Sequence, residues 1–207
     1  MLKLWQQLKS ETILKYGVAA ILLVVPLYPK FPIFNIPGTY VAVRAEDFLL
    51  ALLGFYWLVQ LVRTNLRGFL ANKTNQAILL FFGVGFLSIL SAIFLTQTVA
   101  PHLGLLHWAR RVEYILPFFL AAAAVKVGVK PAFFAETLFI ATFIAFLFGL
   151  GQIFAGLPII STQNEEYAKG VALRFLPGSR LHSTFAGHYD LAAFLVLVFP
   201  IATAYLF

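Results

Sequence analysis

Cysteine is absent from this chain, which excludes disulfides, Cys-ligated zinc, thiol nucleophiles and iron-sulfur clusters. In so apolar a sequence the absence says little about redox compartment. Charge is scarce too: 11% of the 207 residues are Asp, Glu, Lys or Arg, against about a quarter in a soluble domain. Catalytic signatures are missing as well. There is no Gly-rich phosphate loop and no GxSxG motif, and His102, His107, His182 and His188 lack HxxxH or HExxH spacing, so neither metal nor cofactor is expected. No internal repeat or low-complexity tract is visible.

Apolar residues make up the difference, at 61% of the chain, or about 126 of the 207. A bilayer core about 30 Å thick takes about 20 helical residues per crossing, so this composition covers about six spans with little left over. A cytoplasmic enzyme, a nucleic-acid binder and a single-pass receptor are excluded. The net charge of +7 belongs at the membrane edges rather than on nucleic acid.

Charges and prolines divide the chain into spans. Lys3, Lys9 and Lys15 lead into a retained first helix, with no small-x-small cleavage site behind it. Tyr28 to Tyr40, with Pro29, Pro32, Pro37 and Gly38 among Phe31, Phe34 and Tyr40, reads as an interfacial loop. The expectation is an all-α polytopic transmembrane helical bundle forming a single domain over 1–207, with six spans at about 14–28, 43–62, 76–95, 112–129, 132–154 and 184–207. Lys126, Gly128, Lys130 and Pro131 make a tight hairpin between spans four and five, and 155–183 is the one sizeable polar loop. Because the chain ends inside an apolar helix, it is expected to be the N-terminal part of a longer protein, truncated at its C-terminus.

Basic residues in short loops set orientation. With the N-terminus inside, the inner segments hold Lys3, Lys9, Lys15, Arg63, Arg67, Lys73, Lys126 and Lys130, and the outer ones hold Lys30, Arg44, Arg110, Arg111, Lys169, Arg174 and Arg180. The counts are nearly even. The outer cations, however, are accompanied by Glu46, Asp47, Glu113, Glu165, Glu166 and Asp190, as paired or functional charges would be. A cytoplasmic N-terminus and an external 155–183 loop follow.

Polar groups at span ends are the functional candidates. Arg44, Glu46 and Asp47 form either a substrate site or, as the favoured reading, an interfacial network fixing the depth of span two. Arg110 and Arg111 suit a diphosphate, because guanidinium forks match phosphate oxygens, or serve equally as snorkelling anchors. The segment from Arg180 to Asp190 concentrates an arginine, two histidines, two hydroxyls and a carboxylate where the external loop enters span six. If the helix reaches back that far, Arg180, Thr184, His188 and Leu191 share a face. The bland alternative is that Ser183 or Thr184 caps the helix. Asn72-Lys73-Thr74 fits a glycosylation acceptor on the inner side, where it has no such use.

Three stretches carry a resemblance: Pro-Gly-Thr-Tyr through Arg44-x-Glu46-Asp47, Arg-Arg-Val-Glu-Tyr at 110–114, and Arg180 followed by Ser-Thr-Phe-Ala-Gly-His-Tyr-Asp-Leu-Ala-Ala-Phe. Together they resemble the N-terminal half of the bacterial O-antigen ligase and O-antigen polymerase superfamily over nearly the whole chain. The last departs from the family's usual Gly-Thr-Phe-Gly-Asn-Pro-Asn with Ser183, Ala186, His188, Tyr189 and Asp190. The resemblance implies a larger, GT-C-like membrane glycosyltransferase of the bacterial inner membrane. Such an enzyme transfers a glycan from an undecaprenyl-diphosphate-linked donor on the outer face to a glycan or lipid acceptor, without metal. It implies Arg180, His182 and His188 as catalytic residues and Arg44, Arg110, Arg111 and Arg174 as substrate-binding ones. Family ligases also use a histidine in a large later loop, which would lie beyond Phe207 and leave this segment inactive alone. The competing classes are a transporter or flippase half, with charges gating a pathway, and a non-catalytic membrane subunit. Against transport, no two halves repeat and the charges lie at span ends.

Overall fold

The computed structural model of the chain describes residues 2–28, 31–36, 42–160 and 172–206. Its elements run α1 (Leu2–Leu27), β1 (Phe34–Asn35), β2 (Ala42–Val43), α2 (Ala45–Thr64), α3 (Leu66–Ala71), α4 (Lys73–Phe94), α5 (Pro101–Lys126), α6 (Pro131–Phe154), β3 (Ile159–Ile160), β4 (Ala172–Leu173) and α7 (His188–Leu206). The fold is all-α. Among the described residues, five helical segments are long and apolar enough to cross a bilayer: Ser10–Leu27 within α1, and α2, α4, α6 and α7. Their outer surfaces carry Leu52, Phe81, Leu87, Phe146 and Leu197, all more than half exposed. Helices apolar all round and yet unburied belong in lipid, so this is a multi-pass membrane protein.

Local chemistry explains the boundaries. Asn72 ends α3 and starts α4, its side-chain oxygen accepting from the backbone N–H of Thr74 at 2.9 Å and of Asn75 at 3.2 Å. That N-cap is the structural use of the Asn-Lys-Thr pattern. Gly128, at φ +111°, closes α5, and Lys130 is held extended before Pro131 at the first position of α6. At the start of α2, the Asp47 carboxylate accepts from the backbone N–H of Arg44 at 2.9 Å, the reciprocal half of a capping box. The segment expected as an interfacial loop, Tyr28 to Tyr40, holds one strand of a two-residue antiparallel ribbon whose other strand follows it, Phe34 opposite Val43 and Asn35 opposite Ala42. Pro29, Lys30 and Pro37 to Tyr40 lie outside the described residues.

Two expected spans shift. The last helix begins at His188 rather than Thr184. The helix expected over about 112–129 is the second half of α5, which starts at Pro101 and ends at Lys126. Carrying Arg110, Arg111 and Glu113 in mid-length, α5 lacks the charge-poor window of the other five.

The chain, expected as a single domain, packs as two compact units: Met1–Phe48 with Ala121–Phe207, and Leu49–Leu120. In the second, Trp57 stacks on Phe119 at 5.1 Å between ring centres, Phe69 meets both edge-on, and the Trp108 indole N–H donates to the Phe82 carbonyl at 3.1 Å. In the first, α6 buries Thr137, Ala141, Ala145 and Gly149, one residue per turn. Small residues so spaced let backbones approach closely, and α6 packs against both α1 and α7.

The directions of these helices carry information. Near the start of α6, Phe133 meets Tyr16 of α1 edge-on and lies 4.5 Å from the Lys15 ammonium. At the other end, Thr184 donates to the Pro26 carbonyl of α1 while its neighbour Ser183 is bonded to Ala145 and Gln152 of α6. Helices α1 and α6 are therefore parallel. Tyr205, near the end of α7, bonds Glu136 near the start of α6, so α7 runs antiparallel to α6. Two parallel crossings are separated by an odd number of others. With α2 and α4 both spanning, α5 is expected to cross as well, its 26 residues reaching about 39 Å. Since no native cysteine gives background, Thr98→Cys and Lys130→Cys should react with an impermeant maleimide from opposite faces of sealed vesicles. Reaction from the same face would make α5 re-entrant.

Candidate functional site

Where α6 ends and α7 begins, the first unit gathers most of its polar chemistry. After Phe154 the chain turns at Gly156, φ +66°, and enters β3, whose Ile159 pairs with Leu173 of β4. Residues 161–171, including the expected loop charges Glu165, Glu166 and Lys169, lie outside the described residues. Beyond β4, Arg174 precedes Leu176-Pro177-Gly178-Ser179. Proline second, glycine third at φ +87° and a Ser179 N–H to Leu176 carbonyl bond of 2.9 Å make a tight turn of the type II pattern. It reverses the chain and brings Arg180 back beside β4.

One buried glutamine then holds the next stretch. Gln152, in the last turns of α6 and 1% exposed, accepts from the backbone N–H of Ser183 at 2.9 Å through Oε1. Its Nε2 donates to the Ser183 carbonyl at 2.9 Å and the Pro158 carbonyl at 3.1 Å. The Ser183 hydroxyl donates in turn to the Ala145 carbonyl at 2.5 Å. These bonds hold Ser183 at φ +54°, a conformation costing a non-glycine residue roughly 1–2 kcal/mol. Gly149 makes room, since a Cβ there would stand 3.0 Å from the Leu181 side chain. Thr184 donates to the Pro26 carbonyl at 2.6 Å, and the buried Phe185 ring lies 5.0 Å from Phe194 of α7.

Neither Ser183 nor Thr184 caps α7, because the helix begins four residues beyond Thr184, at His188. For the same reason the expected helical face shared by Arg180, Thr184, His188 and Leu191 does not exist. The turn at 183–187 nonetheless brings Arg180 and His188 together. Arg180 Nη1 lies 2.9 Å from His188 Nε2 and donates to the Tyr189 hydroxyl at 3.4 Å. The His182 and His188 rings are 5.5 Å apart between centres, and His188 and Tyr189 are 4.0 Å apart.

A cavity of about 410 Å³ opens here. Its polar wall is Arg174, Ser179, Arg180, His182 and His188, and its apolar wall is Ile159, Leu173 and Leu176. Among the described residues, neither Arg174 nor Arg180 is paired with a carboxylate. Nδ1 of His182 is buried without a hydrogen-bond partner among them. Burial above all, then the neighbouring His188, lowers the pKa of His182 below its ordinary 6.5, with Asp190 opposing. The imidazole is thus neutral at pH 7 and retains a lone pair.

Of the other candidate arginines, Arg44 and Arg110 are engaged elsewhere. Arg44 Nη1 stands 3.7 Å from the carboxylate of the buried Glu46 and is not among the residues lining the cavity. In the second unit, Arg110 is paired with Glu113 at 3.1 Å. The adjacent Arg111 is exposed and points about 100° away around the helix, so the two do not form one fork. Of seven candidates, then, Arg174, Arg180, His182 and His188 share one cavity. Gln152 was not anticipated; its only trace in the sequence is an amide near the end of a largely apolar span. No protein-family model, curated protein or solved structure matches this chain.

Gln152→Leu leaves the Ser183 N–H and two carbonyls unpaired, at about 1–3 kcal/mol for each buried group. It should lower the thermal midpoint in detergent and open the 174–187 loop to protease. Gln152→Glu, which keeps the acceptor, should fall between. An unchanged midpoint and cleavage rate for Gln152→Leu would show that the loop is held by other contacts. His182 adds a pH dependence whose sign follows from linkage. Its folded-state pKa is lowered, so below about 6.5 the unfolded chain binds more protons and stability falls with pH. Cleavage of the loop should accelerate between about pH 7.5 and about pH 5.5, and His182→Gln should reduce that difference.

Proposed function

We propose that this chain belongs to the catalytic apparatus of a membrane glycosyltransferase that moves a glycan from an undecaprenyl-diphosphate-linked donor to a glycan or lipid acceptor. The observation that carries the reading is the cavity itself: two arginines without carboxylate partners among the described residues, beside a neutral histidine, facing an apolar wall. A prenyl diphosphate has that same division, an anionic head on an apolar chain. When the acceptor oxygen bonds to the anomeric carbon, the bond from that carbon to the diphosphate oxygen breaks and the oxygen keeps its electron pair. Arg180 and Arg174 are positioned to receive that charge. Arginine suits the task because its fork meets two phosphate oxygens at once and it stays charged at any physiological pH.

The acceptor hydroxyl must lose its proton as it attacks. His182, kept neutral by burial, is the base in this reading. Its buried, unpartnered Nδ1 is one of two ring nitrogens, so one can hold a proton while the other takes the hydroxyl's. The apolar wall of Ile159, Leu173 and Leu176 excludes water from one side of the diphosphate and strengthens each charge interaction. The cavity would face the outside of the bacterial inner membrane, with the N-terminus cytoplasmic. Arg110 and Arg44, already neutralised by Glu113 and Glu46, are in this reading anchors rather than ligands.

Arg180→Ala in the complete protein should leave membrane abundance unchanged and reduce glycan transfer about a hundredfold or more, the effect of about 3–4 kcal/mol for one lost charge-stabilising donor. Arg110→Lys and Arg111→Lys, which keep the anchoring charge and lose only the fork, should transfer normally. Immunoblots of membranes and gel profiles of the glycan product read both. Normal transfer by Arg180→Ala at normal abundance would remove the cavity from the reaction.

A further inference from the structure

We propose that an oxyanion entering the cavity draws Arg180 away from His188, and that His188 then takes up a proton, so that anion binding and protonation at this site are one coupled event. The inference rests on the diphosphate reading above and adds to it a gate that the binding of the anion itself operates.

The starting point is the 2.9 Å contact between Arg180 Nη1 and His188 Nε2. A guanidinium has only donors and does not deprotonate in proteins. Nε2 must therefore be the acceptor, which puts the His188 proton on Nδ1 and leaves the ring neutral. A proton on Nε2 would set one N–H against another, and in the doubly protonated ring would also bring two cations to hydrogen-bonding distance. While Arg180 donates to it, the Nε2 lone pair is engaged and not open to a proton.

An oxyanion reverses both conditions. Phosphate oxygens offer Arg180 a charge-assisted, two-point partner, a stronger one than a single neutral ring nitrogen. The same negative charge, close to the released Nε2, favours the imidazolium. The groups that face His188 from the described elements are few. Arg174, Arg180 and His182 come from the segment after β4, and Tyr189 and Asp190 from α7 itself; α6 contributes no residue to the cavity lining. Of these only Asp190 carries a negative charge, and no hydrogen bond joins it to His188 among the described residues. Among the described residues no carboxylate is bonded to His188, so an anion entering the cavity is the partner that favours a proton there. Once the anion is bound, the site has three cations around it in place of two, and a dianion gains more than a monoanion.

The test uses the purified full chain in detergent and dimethyl diphosphate esterified once on each phosphorus, a diester like the lipid donor, which has no group titrating near neutral pH. Isothermal titration in buffers of different ionisation enthalpy counts protons exchanged per ligand bound. Wild type is expected to take up a proton on binding, with Kd rising up to tenfold per pH unit over part of the range from about pH 6 to about pH 8. In His188→Gln the uptake should vanish and Kd should become flat with pH. In His182→Gln the uptake should remain. Binding without proton uptake, or uptake that persists in His188→Gln and disappears in His182→Gln, overturns this proposal and leaves the anion site standing. No binding of the diester at any pH overturns the anion site and the gate together.

Discussion

The Gln152 side chain is the point on which the site depends. A primary amide can accept through its oxygen and donate two hydrogens, and here one acceptor bond and both donors are used, two of them on the same residue, Ser183. Without them the amide and the backbone N–H and carbonyl of the buried Ser183 would be polar atoms without partners, at about 1–3 kcal/mol apiece. That sum outweighs the roughly 1–2 kcal/mol of backbone strain at Ser183, so the left-handed turn persists. From it follow the placement of Leu181 against Gly149, the reach of Thr184 to α1, and the delay of helix α7 until His188. Arg180 and His188, eight residues apart, meet because the chain reverses there.

A second constraint decides which arginines remain available to a ligand. Arg110 and Arg44 each have a carboxylate within 4 Å, and their charge is satisfied in place. Arg174 and Arg180 have none among the described residues, and both line the cavity. In a membrane protein, where an unpaired charge is costly, such cations persist at a water-filled edge. The exposure of both arginines agrees with that position. The site thus combines a rigid base, made by α6 and the Gln152 bonds, with a mouth whose charges face solvent.

Packing of α1 along α6 supplies the frame. Small residues at Ala141, Ala145 and Gly149 keep the α6 surface shallow, and the same stripe gives the 181–184 turn its seat through the Ala145 carbonyl and the Gly149 gap. A larger side chain at Gly149 would meet Leu181 before it met lipid. Helix packing and site geometry therefore share the same few residues, and a change made for one is felt by the other.

Much of this was legible in the residues themselves. Runs of apolar side chains between charges gave the long helices, because lipid leaves the backbone no other partner than itself. Gly128, Lys130 and Pro131 announced the turn between two helices and the helix start that follows it, through left-handed and fixed backbone angles. The concentration of Arg180, His182 and His188 before the last span marked where to look. Sequence periodicity could not say how those residues meet, since a shared face required a helix reaching back to Arg180 and the helix begins at His188. Nor could it sort the arginines, because pairing with Glu46 or Glu113 depends on which rotamer reaches a carboxylate. The role of Gln152 was invisible for the same reason: its partners lie up to 31 positions away, and only a folded chain brings an amide to the backbone groups it satisfies. Composition and local backbone preference determined the helices and their place in lipid. Long-range hydrogen bonding, decided by the tertiary structure, determined which charges share a cavity.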